Sequence, residues 1–113
     1  MHELSIVMSV VDIARNQAVS HHASKVDKIE LEIGSLSGVE MDAFTFAWKA
    51  GVQNTVLEKA ERVIHHIPAR AKCMSCQHEF EMTELYSPCP KCGDYFNEVI
   101  QGRELRVKSL VVS

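Results

Sequence analysis

Between residues 4 and 19 apolar side chains recur at helical spacing: Leu4, Met8 and Val11 on one face, Ile6, Val10 and Ile13 beside it, with Asp12, Arg15, Asn16 and Gln17 mostly opposite. A period near 3.6 residues puts these positions on one broad stripe, which predicts an opening amphipathic helix. Lys28-Ile29-Glu30-Leu31-Glu32-Ile33 then alternates without a break up to Gly34. That is the pattern of a strand with one buried face. Ser35 to Gly38 reads as a turn, after which Met41, Phe44, Ala47, Trp48 and Gly51 return to helical spacing, with Ser37 and Glu40 in the relation of a capping box. Thr55 to Glu58 suggests one short turn capped by Thr55, and Arg62 to Ile67 alternates as a second strand closed by Pro68. A third strand follows from Glu104-Leu105-Arg106-Val107-Lys108 into Leu110-Val111-Val112. The expected fold is mixed α/β: a three-stranded sheet with two helices covering one face.

Between the second and third strands lie four cysteines, Cys73, Cys76, Cys89 and Cys92, spaced C-x2-C-x12-C-x2-C. Two residues between paired thiolates let both sulfurs reach one ion from a tight turn, and two such turns complete the tetrahedral four-sulfur shell that Zn2+ accepts. Pro88 and Pro90 bracket Cys89, and Gly93 follows Cys92 where a left-handed backbone is often needed. The segment therefore reads as an inserted zinc ribbon, closed and structural, because no ligand position is left open for chemistry. A redox dithiol, the other use of C-x-x-C, follows a strand of a βαβ unit and does not come as a matched pair. The expected organisation is one domain of residues 1–69 plus 99–113 and a ribbon domain of 70–98, with joints at Pro68 to Lys72 and Ile100 to Gly102.

Composition changes this picture little. The 113 residues are 46% hydrophobic and 24% charged with a formal net charge of −3, which excludes wholesale disorder. No apolar run approaches the roughly 20 residues of a spanning helix, and His2 and Glu3 stand where a cleaved signal would carry basic residues, so a cytoplasmic protein is expected. A zinc ribbon could also serve a nucleic-acid-binding module. From Arg70 to Asp94, however, Arg70, Lys72 and Lys91 face Glu79, Glu81, Glu84 and Asp94, a balance of −1 with no basic stripe for phosphates. No nucleophile with its base, catalytic carboxylate pair or phosphate-binding glycine loop is visible, and an enzyme is not expected.

The six histidines divide by context. His21 and His22 fall where the first helix should end, where imidazolium complements the helix dipole. His65 and His66 are adjacent on a strand and point to opposite faces, so they do not chelate one ion as a simple pair. His78 lies inside the ribbon, where the count of sulfur ligands is already complete. His2 differs, because a free α-amine at Met1 would stand one residue from an imidazole. The amine, the His2 amide and imidazole Nδ1 can close adjoining five- and six-membered chelate rings, with the Glu3 amide in reach. Nitrogen-rich tetragonal sites of this kind favour Ni2+ or Cu2+ over Zn2+.

Met1-His2-Glu3-Leu4-Ser5, Ile33-Gly34, the acidic Glu40 and the inserted four-cysteine ribbon together resemble the HypA/HybF family, nickel metallochaperones of hydrogenase maturation. The resemblance covers essentially the whole chain. It implies a nickel site at the free amino terminus formed by Met1, His2 and Glu3, with Glu40 nearby, and a structural zinc on the four cysteines. It further implies delivery of Ni2+ to the large-subunit precursor of nickel-iron hydrogenase with a nickel-handling GTPase, and in some members service to urease maturation factors. A monomer and a homodimer are both compatible with it, and neither nucleic acid nor membrane is an expected partner.

Overall fold

A computed structural model describes residues 2–113. Helix α1 (Glu3–Ser20) leads into strand β1 (Val26–Gly34), helix α2 (Met41–Gly51) and strand β2 (Glu61–Ile67). Three short strands follow, β3 (Arg70–Cys73), β4 (Glu79–Glu81) and β5 (Asn97–Gln101), and β6 (Leu105–Val112) closes the chain. Elements anticipated from the apolar pattern are all present, with their ends shifted by at most two residues. The strands within the cysteine segment are too short to show an alternation of their own.

The strands form two sheets, ordered β2-β1-β6 and β4-β3-β5. The Gly34 N–H donates to the Glu104 carbonyl (2.7 Å) and the Ser113 N–H to the Lys25 carbonyl (3.0 Å), so β6 runs antiparallel to β1. Ser35, just past β1, donates to the carbonyl of Ile67 at the end of β2 (2.9 Å), as a parallel pair joined by the α2 crossover requires. Packing divides the chain into two units, one of Met1–Leu31, Gly38–Ile64 and Val107–Ser113, the other of Glu32–Ser37 and His65–Arg106.

In the first unit the buried stripe of α1 is Val7, Val10, Val11, Ala14 and Ala18. Leu4 and Met8, expected on the apolar face with Val11, and Ile13, expected beside it, lie on its margins, each about half exposed. The helices approach closely at Gly51 of α2, where a Cβ would lie 2.7 Å from Val7 Cγ1, 3.5 Å from Leu4 Cδ1 and 3.6 Å from Met8 Sδ, so Val7 is nearest to α2 at this contact, with Leu4 and Met8 farther off. Ile29 and Leu31 of β1, with Phe44 and Trp48 of α2, complete the core. The Arg62 guanidinium lies over both rings, 5.8 Å from the Phe44 centroid and 5.5 Å from that of Trp48, and burial lowers its pKa.

The start of α2 differs from the expected capping box. Its N-cap is Glu40, whose carboxylate accepts from the Asp42 N–H (3.1 Å) and the Ala43 N–H (2.7 Å). A glutamate three residues after a serine matches the capping-box spacing, but here the glutamate satisfies the orphan N–H groups of the first turn itself.

The second unit builds its core from Ala69, Ala71, Cys73, Phe80, Met82 and Cys89, with Leu36, Cys76 and Val99 packed against them. Strand β3 is central and antiparallel to both neighbours, pairing Ala71 with Phe80 and with Val99. At its base a Cβ on Gly34 would lie 2.0 Å from the Gly102 carbonyl oxygen, and Gly102 itself has φ +112°. Both positions require glycine.

Candidate metal centres

The two cysteine pairs occupy matching turns. In the first, the Gln77 N–H donates to the Cys73 carbonyl (2.9 Å) and the Cys73 N–H to the His78 carbonyl (2.8 Å). In the second, Gly93 donates to Cys89 (2.8 Å) and Cys89 to Asp94 (2.8 Å), at identical offsets. Each turn needs a left-handed residue directly after its second cysteine, supplied by Gln77 (φ 67°) and Gly93 (φ 79°). The glycine was legible in the sequence. Gln77 was not, although its offset from Cys76 equals that of Gly93 from Cys92. Ser75 Oγ donates to Asp94 Oδ2, tying one turn to the other.

These turns bring all four Sγ atoms within 4.8 Å of one another, with Cys73 and Cys92 at 3.5 Å and Cys76 and Cys89 at 3.7 Å. A tetrahedral Zn–S shell with bonds of about 2.3 Å has sulfur–sulfur edges of roughly 3.8 Å, so the spacing fits such an ion. The electrostatics agree. Burial acts to raise the Cys89 thiol, but N–H groups of Cys92 and Lys91 and the neighbouring sulfurs outweigh it and bring it down to about 7. For Cys92 the Asp94 N–H favours the thiolate, yet the Cys73 sulfur, burial and the other sulfurs push it up to about 12. Protein groups alone thus ionise one thiol readily and resist the last, and a dication is what lets all four become thiolates together. The His78 ring stacks on Phe80 (centroids 6.2 Å apart) and is not part of the cluster.

At the amino end Met1 falls outside the described residues. His2 is exposed and extended (φ −87°, ψ 96°), takes the N-cap position of α1, and uses no side-chain bond there. Its carbonyl accepts from the Ile6 N–H (3.3 Å), which leaves the imidazole outside the helix's own bonding. Glu3 Oε2 accepts from the Glu40 N–H at 3.2 Å. That bond, then the Glu3 N–H and the nearby His2 imidazole, holds the Glu3 carboxyl below the usual carboxylate range. Structure therefore brings Glu3 and Glu40 together across 37 positions, with the Glu40 carboxylate turned to helix capping. Among the described residues the four cysteines are the one cluster of three or more His, Cys, Asp or Glu able to share an ion. His21 ends α1 as its C-cap and His22 follows with φ 55°, both exposed. On β2, His65 is half-buried and His66 exposed.

These features define a small α/β metalloprotein with a four-cysteine metal-binding cluster. The family model described as HypA, hydrogenase/urease nickel incorporation metallochaperone, matches residues 1–112, and the chain belongs to that family. It is 46% identical over 112 residues to the hydrogenase maturation factor HypA of Parabacteroides distasonis, covering 99% of this chain and 97% of that one. The HypA of Geobacter metallireducens is likewise 46% identical, with 99% of each covered. Among solved structures, the solution structure of the nickel metallochaperone HypA from Helicobacter pylori aligns with a TM-score of 0.70 at 28% identity, over 99% of this chain and 97% of that one. The protein is therefore a member of a nickel metallochaperone family of hydrogenase maturation.

Proposed function

We propose that this chain carries Ni2+ at its amino end and delivers it to the large-subunit precursor of nickel-iron hydrogenase together with a nickel-handling GTPase. The reading rests on the exposed His2, whose imidazole takes no part in capping α1, placed directly before Glu3, whose carboxylate is already engaged by Glu40. The proposed donors are the Met1 amine, the His2 amide and Nδ1, and the Glu3 amide, a nitrogen set that suits a planar nickel complex. Glu40 acts outside the coordination sphere, holding Glu3 and hence the chain direction at the site. Few side-chain ligands make such a site labile, as delivery requires. In this reading the four-cysteine cluster holds a resident Zn2+ through Cys73, Cys76, Cys89 and Cys92, and supplies folding energy to the 70–98 ribbon rather than catalysis. The protein acts in the cytoplasm as a carrier and not an enzyme, and the family's urease role extends to it only where urease maturation factors are present.

Titration calorimetry with Ni2+ on the chain with a native amino end, against the same chain carrying a retained amino-terminal tag, tests the proposal. A tag converts the amine to an amide, so nickel affinity and the planar nickel absorption should both be lost. Equal affinity and spectrum in the two forms would remove the terminus from the mechanism.

A further inference from the structure

Outside both metal centres, the second unit carries an anomaly in where it puts its rings. A unit whose buried cluster contains a single aromatic, Phe80, leaves Tyr86 82% exposed and Tyr95 and Phe96 each 71% exposed. A segment this short of apolar core would gain from folding those rings inward, yet it presents them to water. Each aromatic side chain can bury about 150–250 Å², so at these exposures the three together offer roughly 340–560 Å² of contact surface, the size of the largest apolar patch on a typical monomer, which is often functional.

The rings emerge from segments that the structure ties together. Asn97 Nδ2 donates to the carbonyls of Ser87 (3.0 Å) and Asp94 (3.3 Å), joining the turn that carries Tyr86 to the one that carries Tyr95 and Phe96. The Met74 N–H donates to the Phe96 carbonyl (2.9 Å), adding the half-exposed Met74. The charge around them is acidic on balance. Over residues 70–98 Arg70, Lys72 and Lys91 stand against Glu79, Glu81, Glu84, Asp94 and Glu98, a formal balance of −2. In the ladders of β3, Arg70 is opposite Glu81 and Lys72 opposite Glu79 and Glu98, so the carboxylates without a cation across the sheet are Glu84, two residues before Tyr86, and Asp94, directly before Tyr95.

Aromatic faces set among carboxylates match guanidinium and ammonium groups, which stack on the rings and pair with the acids. We propose that Tyr86, Tyr95 and Phe96, in this acidic surround, form a docking face for an arginine- or lysine-bearing segment of a protein partner. The face is separate from the amino-terminal donors and does not depend on the nickel reading. Tyr and Phe at its centre supply rigid contact area, and the carboxylates select the sign of charge.

The test uses the metal-loaded full chain labelled with 15N and an eight-residue peptide alternating Arg and Leu. Amide shifts are expected to move at Met74, Tyr86, Tyr95 and Phe96, and affinity to fall with added salt. A Tyr95→Ser/Phe96→Ser double variant should bind at least about tenfold more weakly while keeping its metal, since both side chains lie outside the core. Equal binding of the peptide with Glu in place of Arg, or unchanged affinity of the double variant, overturns the proposal. Sedimentation showing a dimer that the double variant dissolves would assign the face to a second copy of this chain instead. Binding to phosphatidylcholine vesicles that the double variant loses would assign it to a lipid surface, and either result also overturns the proposal.

Discussion

Glu3 and Glu40 meet through an unequal exchange: the Glu40 N–H donates to Glu3 Oε2 at 3.2 Å, while the Glu40 carboxylate accepts from two N–H groups of α2. Two carboxylates that would repel as neighbours are thus each directed to backbone donors, and the first residue of α1 is fastened to the start of α2. The helix dipole at the α2 amino end favours both negative charges.

Removing the Glu40 side chain should cost stability before it costs nickel. Glu40→Ala loses a helix cap, worth about 1 kcal/mol, and should lower the urea midpoint accordingly, whereas Glu40→Gln retains an acceptor oxygen and should lie between the two. Nickel affinity should weaken in Glu40→Ala less than in His2→Ala. Complete loss of nickel in Glu40→Gln, with stability unchanged, would instead make Glu40 a direct ligand.

His2→Ala should abolish nickel binding while zinc content and the circular dichroism of α1 stay as they are. The imidazole makes no capping bond, so its removal costs the helix little. Loss of zinc in the same variant would show that the two metal sites share a determinant.

Acid should loosen the tie at the amino end. The Glu3 carboxyl is held low in the folded state, chiefly by the Glu40 N–H, so its contribution is fully present above its unfolded pKa, near the ordinary glutamate value of about 4.3. That contribution disappears as pH falls through the lower folded value. Urea midpoints measured across this window should fall more steeply with acidification for the native chain than for Glu3→Gln, and identical slopes would contradict the assignment.

The cysteine cluster should release protons as it takes up metal. With Cys92 pushed up to about 12 and Cys76 also raised in the absence of a cation, these two thiols of the metal-free cluster carry protons at neutral pH, and zinc must displace them. Zinc added to the metal-free chain in weak buffer should therefore acidify the solution by about two protons per ion or more. Cys73→Ser and Cys92→Ser should lose metal and the β3–β5 ladder, while the buried Val7, Ile29 and Phe44 of the first unit keep its helices. No proton release would reject the tetrathiolate assignment.

Glycine positions separate steric from conformational demand. Gly34→Ala puts a Cβ against the Gly102 carbonyl oxygen, a backbone atom that cannot rotate away, and should destabilise by about 3 kcal/mol or more. Gly93→Ala meets nothing within 4 Å and faces only a left-handed backbone, so about 1 kcal/mol is expected, with the metal retained. Thermal unfolding of both variants checks the ranking.

Local spacing in the sequence determined a good deal. The unbroken alternation from Lys28 to Ile33 specifies a strand wherever it is placed, and the C-x2-C pairs specify turns because two thiolates must reach one ion from adjacent backbone. Gly93 was legible for the same reason, since the left-handed conformation it supplies is a requirement of its own turn. Tertiary structure decided what depends on distant partners. Which apolar residues of α1 face inward depends on how α2 packs on it: Val7 meets Gly51 most closely and is buried, while Leu4 and Met8 lie farther from Gly51 and stay about half exposed. Glu40 matches a capping-box position by spacing, and only the path of the chain shows it capping α2 itself while binding Glu3. The Gly34 and Gly102 contact and the short strands of the cysteine segment were invisible for one physical reason. Each is fixed by packing between segments far apart in the chain, and periodicity records only what neighbouring residues demand of one another.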